Sequence, residues 1–168
     1  LSLYGVFTGM ALPCILFPST VTSSASVILM PSVAEMQALG HHKKIRYITR
    51  TTCTACILLG SLCTTVFYFG GNFAGTILFH NTDAGLYIRT LSFICPFLYT
   101  NIALTSILNG LGKTGTTLVH SVLGILLRIS FVIFAIPVLG IRGYLYGLLL
   151  SEILLSLLHI YALYHMEF

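Results

Sequence analysis

Charge is the scarcest property of this sequence. Only 7% of its 168 residues are charged, whereas an ordinary soluble domain has about 25%. Hydrophobic residues make up 57%, and the mean hydropathy is +0.98. Too few polar side chains are present to cover a water-exposed surface, so the composition excludes a soluble globular fold.

Groupings that could carry out chemistry are also missing from the sequence. We find no nucleophile, base and orienting residue at a plausible spacing, and no soluble domain to hold them. Gly112-Lys113-Thr114 resembles the end of a phosphate-binding loop, but that loop requires a glycine where Ile107 stands. We therefore expect no enzyme activity, no cofactor and no nucleic-acid partner.

The cysteines and histidines do not follow a metal-binding pattern. Cys53 and Cys56 form a C-x-x-C pair, but no second pair of Cys or His lies at zinc-ligand spacing. His41 and His42 adjoin two lysines, and a solvated turn near anionic lipid head groups explains them better than a metal site. We expect no metal, and we expect apolar packing of all five cysteines: Cys14, Cys53, Cys56, Cys63 and Cys95.

Long uncharged tracts are what the sequence has in abundance. A helix of about 20 apolar residues can cross a bilayer, because it pairs its own backbone groups where lipid offers no partner. The tracts predict an all-α integral membrane protein with about five transmembrane helices in a single region, 1–168. The predicted spans are residues 8–38, 47–70, 86–108, 115–137 and 142–164.

Two further expectations concern the limits of these spans. Gly70-Gly71-Asn72 is expected to end the second span, and residues 73–79 are too short to cross, so they should lie in the interface or begin a re-entrant turn. Position 1 is Leu1 rather than Met, and no signal peptide follows. We therefore expect the numbering to begin inside a longer protein.

Prolines mark expected helix kinks, since each removes a helix hydrogen bond. Hydroxyl side chains crowd the same part of the first span, between Ser19 and Ser26. They can pair the backbone groups that the kinks release, or they can line a cavity. The predicted kinks are at Pro13, Pro18, Pro31 and Pro96.

The cations of the loops are unevenly distributed. Short connections make consecutive spans antiparallel, so the first and third loops share one side of the membrane. The second and fourth loops have only Arg89 and Arg142 in or near them. An excess of Lys and Arg favours the cytoplasm. We therefore place there the loops that carry Lys43, Lys44, Arg46, Arg50 and Lys113.

Two ionisable residues lie deep within predicted spans, where charge is costly and usually marks function. Arg128 lies nine residues before Pro137, and Glu152 lies ten residues after Arg142 in the next, antiparallel span. Their depths differ by only a few Å at about 1.5 Å per residue. The sequence therefore predicts that they can pair.

Polar residues at helical spacing extend this pattern. Ser121 and Arg128 share a face with Thr117 and Gly124, whereas Ser156 and His159 share one with Glu152. Two interpretations are open: a structural ion pair that fixes helix register, or a site for an anionic head group or for ion or proton coupling. The substrate or coupling candidates are Arg128, Glu152, His159 and Ser121.

Small residues at four-residue spacing form a stripe along the last span. Gly143, Gly147 and Ser151 would let a neighbouring backbone approach closely, and Gly5 and Gly9 repeat the spacing near the start. The pattern predicts close helix packing and says little about function.

Several of these motifs together resemble a known family. The runs Gly9-Met10-Ala11-Leu12-Pro13 and Met30-Pro31-Ser32-Val33-Ala34-Glu35 look like the opening of the second-half helices in polysaccharide flippases. Pro96-Phe97, the turn Ile107 to Lys113, and Ile136-Pro137 with Gly140 to Tyr144 follow in the same order. The resemblance covers about residues 4–164 and is strongest to the stage V sporulation protein B group of the multidrug, oligosaccharidyl-lipid and polysaccharide exporter superfamily.

This resemblance implies a MATE-like fold, in which two lobes alternate between inward- and outward-open states. The chain would form most of the second lobe, and the first lobe of the same protein would be missing. It implies a lipid-linked sugar substrate, moved across the cytoplasmic membrane, and membrane lipid as a further partner. A cation-coupled multidrug exporter and a non-transporting scaffold for envelope or spore assembly remain alternatives.

Overall fold

The computed structural model describes residues 3–166, and these form a bundle of helices without strands. Two π-helical segments, Phe7–Ala11 and Ala74–Leu78, and a 3-10 turn, Ser92–Ile94, join several helices into longer rods. The all-α fold predicted from the composition is confirmed. The α-helices are α1 (Leu3–Val6), α2 (Leu12–Leu16), α3 (Ser19–Ala38), α4 (His42–Phe73), α5 (Thr82–Leu91), α6 (Cys95–Gly110), α7 (Thr114–Phe134), α8 (Ile136–Leu139) and α9 (Ile141–Tyr164).

Four helical rods of the described chain are long and apolar enough to cross a membrane. A fifth span results if Tyr4–Leu16 and Ser19–Ala38 are taken as one element bent by 52°. This number agrees with the five spans predicted. The continuous rods are His42–Leu78, Thr82–Gly110, Thr114–Phe134 and Ile141–Tyr164.

The second span is longer than the sequence predicts. Gly70, Gly71 and Asn72 do not end it, because α4 continues to Phe73 and then through the π-helical turn to Leu78. Gly71 serves close packing instead: a Cβ on Gly85 of α5 would lie 2.9 Å from the carbonyl oxygen of Gly71. Residues 73–78 therefore continue the helix of the second span and do not form a separate segment.

Polar residues after Leu78 separate this span from α5. His80 has a φ of 49°, and Asn81 caps α5 by accepting hydrogen bonds from the backbone N–H groups of Asp83 at 2.9 Å and Ala84 at 3.4 Å. Such a side-chain cap satisfies donors that the first turn of a helix leaves unpaired.

The first span is two helical arms rather than one tilted helix. The bend falls at Phe17 and Pro18, between α2 and α3. Pro13 lies in the first turn of α2, directly after the π-helical segment Phe7–Ala11. Pro96 has the same position in α6, directly after the 3-10 turn. Pro31 lies inside α3, which continues past it without a break.

Helix α6 is the centre of the bundle and packs against α3, α4 and α9. Two buried apolar clusters lie at opposite ends of it. One contains Val33, Ile45, Leu111 and Leu163, which brings the first and third loops and the end of α9 together. The other includes residues of α2, α5 and α9. Alternate loops therefore lie at the same end, and we call the end with the first and third loops the cationic end.

The small-residue stripe of α9 packs against α7 and the short connection after it. A Cβ on Gly147 would lie 2.5 Å from Cβ of Phe131, and one on Gly143 would lie 2.7 Å from the carbonyl carbon of Ala135. Ser151 is fully buried. Gly9 differs, since a Cβ there would meet no atom within 4 Å.

Many large apolar side chains point out of the bundle, as expected when lipid is the solvent. On α7, Leu118, Ile133 and Phe134 are 66%, 58% and 75% exposed. An exposed apolar surface of this extent is characteristic of a membrane-facing protein. The protein is a multi-pass membrane protein.

Candidate functional site

An ion pair joins α7 to α9 at the middle of the bundle. Arg128 Nη2 donates to Glu152 Oε1 at 3.0 Å. The same nitrogen donates to the Ser151 hydroxyl at 3.1 Å, and Nε donates to it at 3.4 Å. The predicted pairing of Arg128 with Glu152 is therefore confirmed, while the role of the pair stays a prediction.

The pair is asymmetric in its surroundings. The Glu152 side chain is 9% exposed, whereas that of Arg128 is 33% exposed. Glu152 lies at the centre of the 24-residue helix α9, about 17 Å from either end at 1.5 Å per residue. This is the depth of the middle of a hydrocarbon core about 30 Å thick. The carboxylate therefore depends on protein partners for its stabilisation.

Asn101 of α6 is the partner that sequence reasoning missed. Its amide nitrogen donates to Glu152 Oε2 at 2.8 Å and to the Glu152 backbone oxygen at 2.9 Å. The two carboxylate oxygens are thus held by different helices. An amide near the middle of a span was the available signal, but its orientation toward the bundle interior cannot be obtained by counting residues along one helix.

A pair of histidines extends the polar cluster toward the cationic end. His159 Nδ1 lies 3.4 Å from Asn101 Oδ1, and because an amide oxygen only accepts, this contact places the hydrogen on Nδ1. The rings of His159 and His120 are 5.0 Å apart between centroids. Both residues are buried, and His159 Nε2 and His120 Nδ1 have no hydrogen-bond partner among the described residues.

We define the polar cluster as Asn101, His120, Arg128, Ser151, Glu152 and His159. It borders a groove of about 600 Å³ between α3, α6, α7 and α9. Glu152, Asn101 and His159 line this groove, and Ser121 of α7 lines it as well. Ser121 itself is exposed, because the buried face of α7 runs through Thr117, His120 and Gly124 instead. The polar lining further includes Ser23, Ser26, Thr105 and Ser106.

The hydroxyls of the first span divide between the two predicted uses. Ser19 and Thr20 donate to the carbonyls of Leu16 and Phe17, at 2.6 and 2.7 Å, and so pair backbone groups at the bend. Ser23 and Ser26 line the groove instead. The Ser26 hydroxyl is buried without a hydrogen-bond partner in the described chain.

A hydrogen bond from α6 also stabilises the backbone next to the bend. The Tyr99 hydroxyl donates to the Ile15 carbonyl at 3.0 Å, and Tyr99 is completely buried. An irregular backbone is tolerated at membrane depth only where the protein satisfies its polar groups. Tyr99 therefore fixes the arm before the bend relative to α6.

The remaining predicted residues lie away from the polar cluster. The cations of the first loop, at the start of α4, are exposed together with Lys113. The five cysteines are free thiols, and Cys56, Cys63 and Cys95 are buried in the apolar core. Over residues 3–166, no group of three or more His, Cys, Asp or Glu is arranged to hold a metal ion.

Comparison with known proteins shows one relationship that covers nearly the whole chain. Stage V sporulation protein B of Bacillus subtilis (strain 168) is 24% identical over 158 residues, which is 93% of this chain. This chain is similar to that protein along nearly all of its own length. The resemblance indicated by the sequence motifs is confirmed. The homologous region spans 30% of the relative's length. No family model and no solved structure matches this chain.

Proposed function

We propose that this chain forms most of the second lobe of a flippase that moves lipid-linked oligosaccharide or polysaccharide precursors across the cytoplasmic membrane. The homology to a sporulation protein supports a role in building the cell or spore envelope. The observation that carries the proposal is the buried carboxylate of Glu152, held at mid-membrane depth on the wall of the groove.

The groove has the chemistry that a sugar lipid requires. Hydroxyl, amide and imidazole groups lie beside apolar side chains such as Leu98 and Leu155. The first set suits sugar hydroxyls, and the second suits a lipid tail. Arg128, behind Glu152, is a suitable partner for a phosphate if the ion pair opens.

Alternating access would use the helix pair that carries the ion pair. In transporters of this kind, one lobe rocks against the other around a site near the bilayer midplane. Glu152 connects α6, α7 and α9 through Asn101, Arg128 and its own helix. A ligand that competes for either partner would therefore change the contact between these helices.

The test is translocation by the complete protein that contains this chain. A fluorescent lipid-linked sugar is placed in liposomes, and movement between leaflets is followed by its access to an impermeant quencher. Glu152→Gln should slow movement by about tenfold or more, because it removes the charge that the proposal places at the substrate groove; tenfold in rate corresponds to about 1.4 kcal/mol. The matched control is Glu35→Gln, because Glu35 is exposed in the last turn of α3.

Two results would count against this function. One is a folded Glu152→Gln protein that moves the sugar lipid as fast as the control. The other is movement catalysed by this chain alone, because the opposite wall of the proposed central cavity would then be unnecessary.

A multidrug exporter is the second candidate function, and the apolar walls around Glu152 favour it. A carboxylate among apolar side chains also suits an amphipathic cation. In that case expression of the complete protein would confer drug resistance that depends on a sodium or proton gradient. A scaffold would instead tolerate the loss of both Arg128 and Glu152.

A further inference from the structure

A second and larger groove lies at the cationic end, on the outside of the bundle. Its volume is about 920 Å³, at the upper end of the range for small-molecule sites. Helix α4 forms one wall through Arg46, Thr49, Arg50 and Cys53. Their spacing places the four residues on one face of the helix. The opposite wall is Ile160, Leu163, Tyr164 and Met166, with Leu104 of α6 between the walls.

The arginines of this groove lie at the depth of lipid head groups. The rod His42–Leu78 has 37 residues, so it is about 55 Å long, whereas a bilayer with its head groups is about 40–45 Å thick. Arg46 and Arg50 lie in the second and third turns of this rod. They therefore fall in the interfacial layer, while Cys53 and Leu104 reach toward the acyl region.

Charge and polarity in the groove favour an anion with apolar chains. Lys43, Lys44 and Lys113 are exposed at the same end, and Glu35 is the acidic residue of this end within the described chain. The Thr49 hydroxyl is buried without a hydrogen-bond partner in residues 3–166. A phosphate between the arginines, with its chains against α6 and α9, would match each of these features.

We propose that this groove binds an anionic phospholipid of the surrounding leaflet. The site is separate from the polar cluster, so it goes beyond the transport function proposed above. A bound lipid would link α4 to α9. Basic pockets between transmembrane helices are known sites for anionic head groups.

Native mass spectrometry of the complete protein in detergent tests this proposal, with phosphatidylglycerol and phosphatidylcholine as probes. Phosphatidylglycerol should bind and phosphatidylcholine should not. Arg46→Gln with Arg50→Gln should weaken phosphatidylglycerol binding about 25-fold, at about fivefold for each cation near an anionic surface. The control, Lys43→Gln with Lys113→Gln, removes the same charge at the same end outside the groove and should retain binding.

A third variant keeps both arginines. Ile160→Trp narrows the groove at an exposed position and should weaken phosphatidylglycerol binding without changing charge. If the arginine variant does not fold, this variant still tests whether the lipid binds in the groove. Equal losses in the control and the groove variant would show non-specific attraction and overturn the proposal. So would binding of a polyprenyl diphosphate alone, since the groove would then take the transported substrate rather than a membrane phospholipid.

Discussion

Arg128 and Glu152 differ in exposure, so replacing one of them should lower the free energy of unfolding more than replacing the other. Arg128→Leu leaves the Glu152 carboxylate, 9% exposed, with Asn101 as its side-chain partner. Removing one member of a buried pair typically costs about 3–5 kcal/mol, and we expect the free energy of unfolding to fall by about 3 kcal/mol. Glu152→Gln should cost less, about 1–2 kcal/mol, because Arg128 keeps Ser151 and is 33% exposed.

The double variant Arg128→Leu with Glu152→Gln should recover much of the loss, since it leaves no unpaired charge. We expect it to be about 1–2 kcal/mol more stable than Arg128→Leu alone. The assay is unfolding of the complete protein in mixed micelles by titrated dodecyl sulfate. Arg142→Leu is the matched control, because Arg142 is exposed near the start of α9. Equal costs for the two single variants, or a double variant whose cost is their sum, would refute this reasoning.

Two further predictions concern packing and the bend of the first span. Gly147→Leu should separate α7 from α9 and lower the melting temperature in detergent, because a Cβ there already overlaps an α7 side chain. Gly9→Ala is its control and should have little effect, since it meets open space. Tyr99→Phe should cost about 1–3 kcal/mol by leaving the buried Ile15 carbonyl without its 3.0 Å hydrogen bond. Unchanged unfolding of Tyr99→Phe would show that the bend does not need this bond.

The sequence predicted those features that depend on composition or on counting along one helix. The approximate number of spans follows from hydrophobic length, and the pairing of Arg128 with Glu152 follows from equal depth in adjacent antiparallel helices. Hydrophobic length and depth along a helix can both be obtained by counting residues in the sequence. The close approach of α9 to α7 was likewise visible as small residues at four-residue spacing.

The missed features depend on how helices rotate and pack against each other. Asn101 and His120 join the polar cluster because α6 and α7 turn those faces inward, and no spacing rule along either helix fixes that rotation. Gly71 looked like a helix end, but it allows close contact with Gly85 of α5. A glycine can end a helix or allow close contact between helices, and its role depends on what the neighbouring helix places against it.

The central claim is that the ion pair between Arg128 and Glu152 takes part in moving the substrate, beyond holding two helices together. The charge swap Arg128→Glu with Glu152→Arg tests it most directly, because the swap can restore a pair while exchanging the charges at the groove. Stability in micelles and translocation of a lipid-linked sugar are measured on the same complete protein. We predict that the swap restores stability but not translocation, relative to the single variants. Recovery of both would contradict the claim and leave the pair a structural one.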